Sequence, residues 1–180
     1  MNMVKVGPAG GKKAAAWDDK GKGEIAKIYV SHWQHGINSL QFLFVENDNF
    51  VLSERHGAAH NKNFTTVVLD HPSEFLTSIR GFHNVEKELR KIVCLRSITF
   101  GTNKGTYGPY GMTTSVDPSL NEHFNFEIGD DRSFGGFHGT NYSNFIESIG
   151  VYVKTVTSSM IRTKDSRVKV KKEAEHLLPP

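Results

Sequence analysis

The 180-residue chain lacks several features that mark common protein classes. It has one cysteine, Cys94, so an intrachain disulfide is excluded. The apolar run 92–95 around this residue predicts a buried thiol. No run approaches the roughly 18 apolar residues that span a membrane, and the segment 1–8 has no apolar core of a secretory signal. We therefore expect a cytoplasmic protein without a transmembrane segment.

Net charge is also small, at +3. From Ser158 onward the chain has six basic and three acidic residues, which account for the whole excess. The neutral body does not indicate a nucleic-acid partner. We divide the chain into one domain, 1–157, and a basic C-terminal extension, 158–180, which we expect to be flexible. Pairing of this extension with a sheet edge, or contact with anionic lipid or RNA, remains an alternative.

Motifs for catalysis are missing as well. The chain has no Gly-x-Ser-x-Gly elbow, Walker loop or His-Glu-x-x-His sequence. His32 and His35, and His56 and His60, have metal-ligand spacing but no cysteine or acidic pattern beside them. Solvated or hydrogen-bonded loop histidines explain them better. Asp18-Asp19 beside lysines predicts a solvated turn. We expect no enzyme activity, no metal and no cofactor.

Seventeen glycines and twelve phenylalanines, with only six prolines, favour a turn-rich β protein. Alternation of apolar and polar residues predicts strands in several segments: 24–31, 37–45, 50–53, 65–70, 75–82, 95–100, 124–128 and 146–155. The glycine-rich segments 7–13 and 101–111 read as loops. The charged segment 85–93 reads as a loop or one helical turn.

An internal repeat supports a β architecture. The pattern apolar-x-Ser-apolar-x-apolar occurs in Ile37–Phe42, Leu95–Phe100 and Ile146–Val151, with a partial copy in Leu76–Gly81. Repetition at this spacing indicates three similar sheets. Chance similarity among alternating strands is the alternative.

The segment Thr140–Glu147 carries the most informative pattern for function. It reads as an eight-residue loop between glycine-punctuated strand ends, with amide side chains, aromatic rings and one carboxylate. Such groups can hold a neutral polyhydroxyl ligand. A phosphate cradle would normally add Lys or Arg, and this loop has neither.

Together these residues resemble the jacalin-related lectins of plants. The resemblance covers roughly 4–155 and rests on four ordered motifs: Gly7-Pro8-x-Gly10-Gly11 with Trp17-Asp18, Phe50-x-Leu52 near His56-Gly57, Tyr107-Gly108-Pro109-Tyr110-Gly111, and Gly136–Gly139 continuing to Ile149–Tyr152. It implies an all-β fold, a β-prism of three four-stranded Greek-key sheets with pseudo-threefold symmetry. The chain is more similar to the mannose-type, cytoplasmic branch than to the cleaved galactose-specific branch.

The resemblance also implies a carbohydrate site at one end of the prism. The expected residues are Gly10, Gly11, Ser143, Asn144, Phe145 and Glu147. The implied ligands are glycans containing mannose or glucose, and the implied role is plant defence.

This sequence departs from the family pattern in that loop. The loop is one residue longer, lacks its usual glycine and ends in Glu147 instead of Asp. The lengthened loop, Arg55-His56-Gly57, Tyr107–Gly111 and a polar C-terminal extension are similar to a subgroup of the family that restricts long-distance virus movement. The alternative hypothesis is therefore an interaction protein with a degenerate sugar site, acting through viral or host protein partners or by forming a homo-oligomer.

Overall fold

The computed structural model describes residues 2–58, 63–86, 92–115 and 117–155. Their regular structure is β except for one 3-10 turn at Pro118–Leu120. The strands, numbered in chain order, are β1 (Met3–Gly10), β2 (Ala15–Asp18), β3 (Glu24–Trp33), β4 (Gly36–Glu46), β5 (Asn49–Leu52), β6 (His56–Gly57), β7 (Phe64–Val68), β8 (Leu76–Glu86), β9 (Ile92–Thr102), β10 (Thr106–Gly111), β11 (Glu122–Glu127), β12 (Phe134–Tyr142) and β13 (Phe145–Lys154). Within this described part, no helix has the length and apolar character to cross a membrane.

The strands form three antiparallel sheets with one shared topology. Their orders are β1-β13-β12-β2, β5-β4-β3-β7 and β10-β9-β8-β11, and the short β6 also pairs with β4. Each sheet places its first strand between its second and fourth, which is a Greek key. In the first sheet the four strands, in Greek-key order, are β12, β13, β1 and β2. The pairing of β1 with β13 joins the two ends of the domain in this order. The predicted β-prism of three Greek-key sheets is confirmed.

The core lies where the inner faces of the three sheets meet. Phe42 and Phe44 of β4, Phe100 of β9 and Phe137 of β12 have no exposed surface. The rings of Phe42 and Phe137 stack across two sheets with their centroids 4.1 Å apart. Burying each such side chain stabilises the fold by about 1.5–3 kcal/mol. The alternation of apolar residues along the strands therefore places the core as expected.

Two segments expected to be loops are edge strands. The segment 7–13 was predicted as a loop, but β1 runs to Gly10, and β10 occupies the second half of 101–111. Both contain Gly-Pro at a register shift, with Pro8 between Val6 and Ala9 in β1 and Pro109 in β10. Proline lacks an N–H donor and is tolerated at a bulge in an edge strand. Glycine and proline therefore mark bulged edges here, not loops.

Two further expectations about local structure were wrong. The segment 85–93 is neither loop nor helix at its ends, because β8 continues to Glu86 and β9 begins at Ile92; residues 87–91 lie outside the described residues. Asp19 is buried and not part of a solvated turn, since Oδ2 lies 2.8 Å from the buried His56 Nε2.

Burial of Cys94 is confirmed. The extension 158–180 also lies outside the described residues.

The three copies of the repeat contain the same irregularity. In β4 the register passes from Ser39 to Ile37 and leaves Asn38 unpaired. In β9 it leaves Arg96 unpaired, and in β13 it leaves Glu147 unpaired. Each residue occupies the x position before the serine of its repeat. A β-bulge redirects the side chain of the extra residue, so these three positions are structurally equivalent.

Candidate functional site

The expected loop between Thr140 and Glu147 is a tight hairpin. Strand β12 continues to Tyr142, which pairs with Phe145 at the start of β13. Only Ser143 and Asn144 form the turn. Strand pairing satisfies backbone groups that an eight-residue loop would leave to water or ligand. The sequence prediction of an open cradle was therefore wrong.

The carboxylate of Glu147 is the centre of the candidate site, and it is 1% exposed. Its Oε2 accepts hydrogen bonds from the backbone N–H groups of Lys13 (3.0 Å) and Ala14 (2.8 Å) and from the Thr140 hydroxyl (2.8 Å). Its Oε1 lies 3.2 Å from the same Lys13 nitrogen. Ser148 Oγ lies 2.7 Å from Thr140 Oγ1 and donates to it, since the single proton of Thr140 serves the carboxylate. The carboxylate thus bonds to the protein itself.

The two glycines of the predicted site form the wall against which Glu147 packs. Gly10 ends β1, pairs with Ser148 and has φ +112°, a conformation that favours glycine. A Cβ on Gly10 would overlap the backbone carbonyl of Glu147. A Cβ on Gly11 would overlap the Glu147 carboxylate. The absence of side chains here gives the longer glutamate the room to reach Lys13 and Ala14.

The other three predicted residues lie at the hairpin tip. Ser143 and Asn144 are exposed, and Phe145 is half-buried with its ring 4.9 Å from that of Tyr142. The Asn144 carbonyl accepts a hydrogen bond from Asn38 Nδ2 at 3.1 Å. The structure thus brings Gly10, Gly11 and Glu147 together, while Asn144 and Phe145 face the β3–β4 hairpin. The assignment of all six residues to sugar binding stays a prediction.

The sequence analysis did not identify the hydrogen-bond donors to the Glu147 carboxylate. It also did not identify the residues at the equivalent bulge positions of the other two sheets. Lys13 and Ala14 carry no side-chain signal, because they contribute backbone N–H groups. Asn38 and Arg96 could have been found, because they occupy the variable position of the repeat. Arg96 is 6% exposed and donates to Asn84 Oδ1 and to the His35 carbonyl.

Two side chains of β12 have shifted pKa values. Burial, together with the negative charge of Glu147, raises the pKa of the Tyr142 hydroxyl above its usual value. Burial lowers the pKa of the His138 imidazole, although its Nε2 donates to the Val6 carbonyl at 3.0 Å.

Histidines expected in loops make hydrogen bonds, but His32 lies in β3 and His56 in β6, so the loop placement of these two was wrong. His32 Nε2 lies 3.2 Å from Thr65 Oγ1, and His35 Nε2 lies 3.2 Å from Gln34 Nε2. His60 lies outside the described residues. In the part of the chain that the structure covers, no cluster of three or more His, Cys, Asp or Glu side chains is arranged to hold a metal ion.

Comparison with known sequences gives a consistent picture. A profile of the Jacalin-like lectin domain matches residues 6–152. From Arabidopsis thaliana, "Inactive protein RESTRICTED TEV MOVEMENT 1" is 38% identical over 160 residues, which cover 86% of this chain and 88% of that protein. "Jacalin-related lectin 2" from the same plant is 35% identical over 159 residues, 84% of this chain and 86% of that one.

Solved structures agree with the sequence comparison. The mannose-binding lectin from Champedak superposes with a TM-score of 0.74 at 28% identity, covering 86% of this chain and 99% of that one. The mannose-specific jacalin-related lectin from Morus nigra, solved in complex with mannose, also has a TM-score of 0.74, at 29% identity over 86% of this chain and 96% of that one.

Proposed function

Because the chain belongs to the family of Jacalin-like lectin domains, whose members are non-enzymatic carbohydrate-binding proteins, we propose that it acts in plant defence through protein contacts, with Glu147 closing its monosaccharide site. The observation that carries the proposal is the occupied carboxylate. A carboxylate can bind sugar hydroxyls only through acceptor sites that are free and accessible. Glu147 is 1% exposed and already accepts from Lys13, Ala14 and Thr140.

The length of the side chain explains this closure. Glutamate extends one methylene beyond aspartate, about 1.5 Å, and the bulge at Glu147 turns it toward the β1–β2 connection. Charge-assisted hydrogen bonds to backbone N–H groups are about twice as strong as neutral ones. A sugar hydroxyl would have to displace these bonds and would gain only similar ones.

Relatives support the protein-contact part of the proposal. "Protein RESTRICTED TEV MOVEMENT 1" is 37% identical over 86% of this chain, and "Inactive protein RESTRICTED TEV MOVEMENT 1", whose name marks it as inactive, is 38% identical over the same share. We propose that this chain likewise restricts virus movement by binding viral or host proteins. We place this activity in the cytoplasm, and a fluorescent fusion in leaf cells tests that placement. Self-association stays a prediction, which analytical ultracentrifugation checks.

Binding of mannose- or glucose-containing glycans is the second candidate. Its support is the likeness to lectins solved with mannose or mannotriose, at 27–29% identity. Under this alternative, a glycan would contact the exposed tip at Ser143 and Asn144 and would bypass Glu147.

Titration calorimetry separates the two candidates. Wild-type protein is titrated with mannose, methyl mannoside and oligomannose, and backbone NMR shifts near Phe145 are followed in parallel. We expect no binding of the monosaccharides by the wild-type protein. We expect measurable binding by Glu147→Asp, which draws the carboxylate back from the Lys13 and Ala14 amides. Low-millimolar or tighter binding of methyl mannoside by the wild-type protein would refute the closed site.

A virus-movement assay tests the defence role. Wild-type protein and Glu147→Gln, which keeps the closing side chain, are expressed in a susceptible plant, and systemic spread of the virus is measured. We expect both to restrict spread to the same extent. Unrestricted spread in plants that accumulate the wild-type protein would contradict the proposal.

A further inference from the structure

The outer face of the sheet β5-β4-β3-β7 is mostly apolar. Of the six large apolar side chains that are exposed in the described residues, four lie on this face: Phe50, Leu52, Phe64 and Val68. We propose that two copies of the chain associate through this surface, called the apolar face below. The proposal specifies where the self-association predicted above occurs, and it is independent of the closed site at Glu147.

Strand register gives ten side chains of this sheet the same outward direction. Residues two apart on one strand point the same way, and so do paired residues of neighbouring strands. The apolar face therefore consists of ten residues: Lys27, Tyr29, Gln41, Leu43, Val45, Phe50, Leu52, Phe64, Thr66 and Val68. Seven of these are aliphatic or aromatic, and the rings of Tyr29 and Phe64 stack with their centroids 6.1 Å apart.

The other two sheets show that the fold does not require this composition. Equivalent positions follow from the repeat, because Ser39, Ser97 and Ser148 align the three central strands and their pairing partners. In the sheet β10-β9-β8-β11, the positions of Leu52, Tyr29, Phe64 and Val68 are held by polar or charged residues: Thr106, Arg80, His123 and Glu127. In the sheet β1-β13-β12-β2, the first three positions are held by Lys5, His138 and Ala16. The apolar face is thus specific to one sheet.

The apolar face is large enough to form the centre of a dimer contact. It spans about 14 Å between its outermost strands, and Phe50 and Phe64 lie about 20 Å apart along the strand direction. With the side chains at its edges, it covers about 500 Å². Each partner in a standard interface buries about 800 Å², with an apolar centre and a polar rim. The apolar face supplies such a centre, and the turns around it supply the rim.

Two properties of the apolar face favour a second copy over an unrelated partner. Interfaces between identical chains are more apolar than those of transient complexes, and this face has one charged residue, Lys27, among ten. The aliphatic stem of Lys27 can lie along the contact while its amine reaches the rim. Two copies of one sheet also have the same twist, so their faces can pack about 10 Å apart, as the layers of a β-sandwich do.

Sedimentation of the full chain is the first test. We expect wild type at about 100 µM to form a dimer, because a contact with a micromolar Kd is nearly saturated there. The double variant Leu52→Lys/Phe64→Lys replaces two exposed side chains, so it should fold, and it should weaken association about a hundredfold or more. A monomeric wild-type protein would overturn the proposal, and a loss of virus restriction in the double variant would then assign the face to another protein.

A control and a rescue test the location of the contact. Thr106→Lys/His123→Lys makes the same changes at the equivalent positions of a different sheet and should leave the dimer unchanged. Leu52→Glu/Phe64→Glu should be monomeric alone and form a heterodimer with Leu52→Lys/Phe64→Lys at low salt, since opposite charges then meet across the contact. Equal weakening by the control, or no heterodimer in the mixture, would contradict the assignment.

Methyl NMR distinguishes a wrong surface from absent self-association. We expect the methyl shifts of Leu52 and Val68 to change with protein concentration. Those of Val4, which is 51% exposed in β1 and outside the apolar face, should stay constant. A wild-type protein that dimerises without shifts at Leu52 and Val68 would associate through another surface. That result would refute the assigned face and leave the predicted self-association standing.

Discussion

The side chain of Glu147 bonds the β1–β2 connection to β13. Replacing it should remove these hydrogen bonds between the two segments. In Glu147→Ala, the N–H groups of Lys13 and Ala14 lose their acceptor. Each partly buried donor left without a partner costs about 1–3 kcal/mol. The total loss in free energy of unfolding is then about 2–6 kcal/mol. For a chain of this size, such a loss lowers Tm by on the order of 10 °C.

Glu147→Gln is the matched variant. A glutamine can keep its oxygen at the position of Oε2, which accepts three of the four hydrogen bonds at this carboxylate. It loses the charge assistance and places an amide nitrogen at the position of Oε1, at a cost of about 1 kcal/mol. We expect its Tm to fall by about 2–4 °C, clearly less than that of Glu147→Ala.

Two measurements check this order. Thermal unfolding followed by circular dichroism gives Tm for wild type, both variants and Glu54→Ala, an exposed control whose Tm should barely change. Hydrogen exchange by NMR should show faster exchange of the Lys13 and Ala14 amides in Glu147→Ala only. If Glu147→Ala unfolds within a degree of Glu147→Gln, or if those two amides exchange as in wild type, the assigned role of the carboxylate is wrong.

Three other predictions follow from the same region and from the domain boundary. Gly10→Ala should lower Tm more than Gly11→Ala, because a Cβ on Gly10 meets backbone at φ +112°, whereas a Cβ on Gly11 meets the Glu147 side chain, which can shift at the expense of its hydrogen bonds; equal Tm values would contradict this. Burial lowers the pKa of His138 below its unfolded value near 6.5. Its contribution to stability is therefore complete above that pH and is lost as the pH falls further. Between pH 7 and pH 5, Tm of His138→Gln should fall less than Tm of wild type; an identical fall would count against this role. Deleting 158–180 should leave Tm within about 2 °C, since the family match ends at residue 152, and a large decrease would show that the extension belongs to the domain.

Much of the fold could be predicted because its signals are local. Alternation along 24–31 and 37–45 reflects one wet and one buried face of each strand, and the structure has β3 and β4 there. The edge strands β1 and β10 escaped prediction because Gly-Pro usually marks a turn. In both strands a bulge accommodates it. Whether such a segment pairs depends on a neighbouring strand that is distant in sequence.

The candidate site was predictable only in part, for the same reason. The resemblance led to Gly10, Gly11 and Glu147, and these residues do lie together. It also suggested an open loop at Thr140–Glu147, but the hairpin continues to Tyr142 and Phe145. The bonding state of Glu147 depends on backbone N–H groups at Lys13 and Ala14, which no residue type announces.

The threefold repeat is visible in the amino-acid sequence, since apolar-x-Ser-apolar recurs where each sheet forms the same bulged strand. The contacts of each bulged residue, in contrast, depend on the packing of the three sheets. Asn38 meets the Asn144 carbonyl, Arg96 meets the His35 carbonyl, and Glu147 meets the backbone near Lys13. These partners are 61 to 134 residues away in the chain. A bulge is specified locally, but the partner of its side chain is set by which hairpin or connection packs beside it.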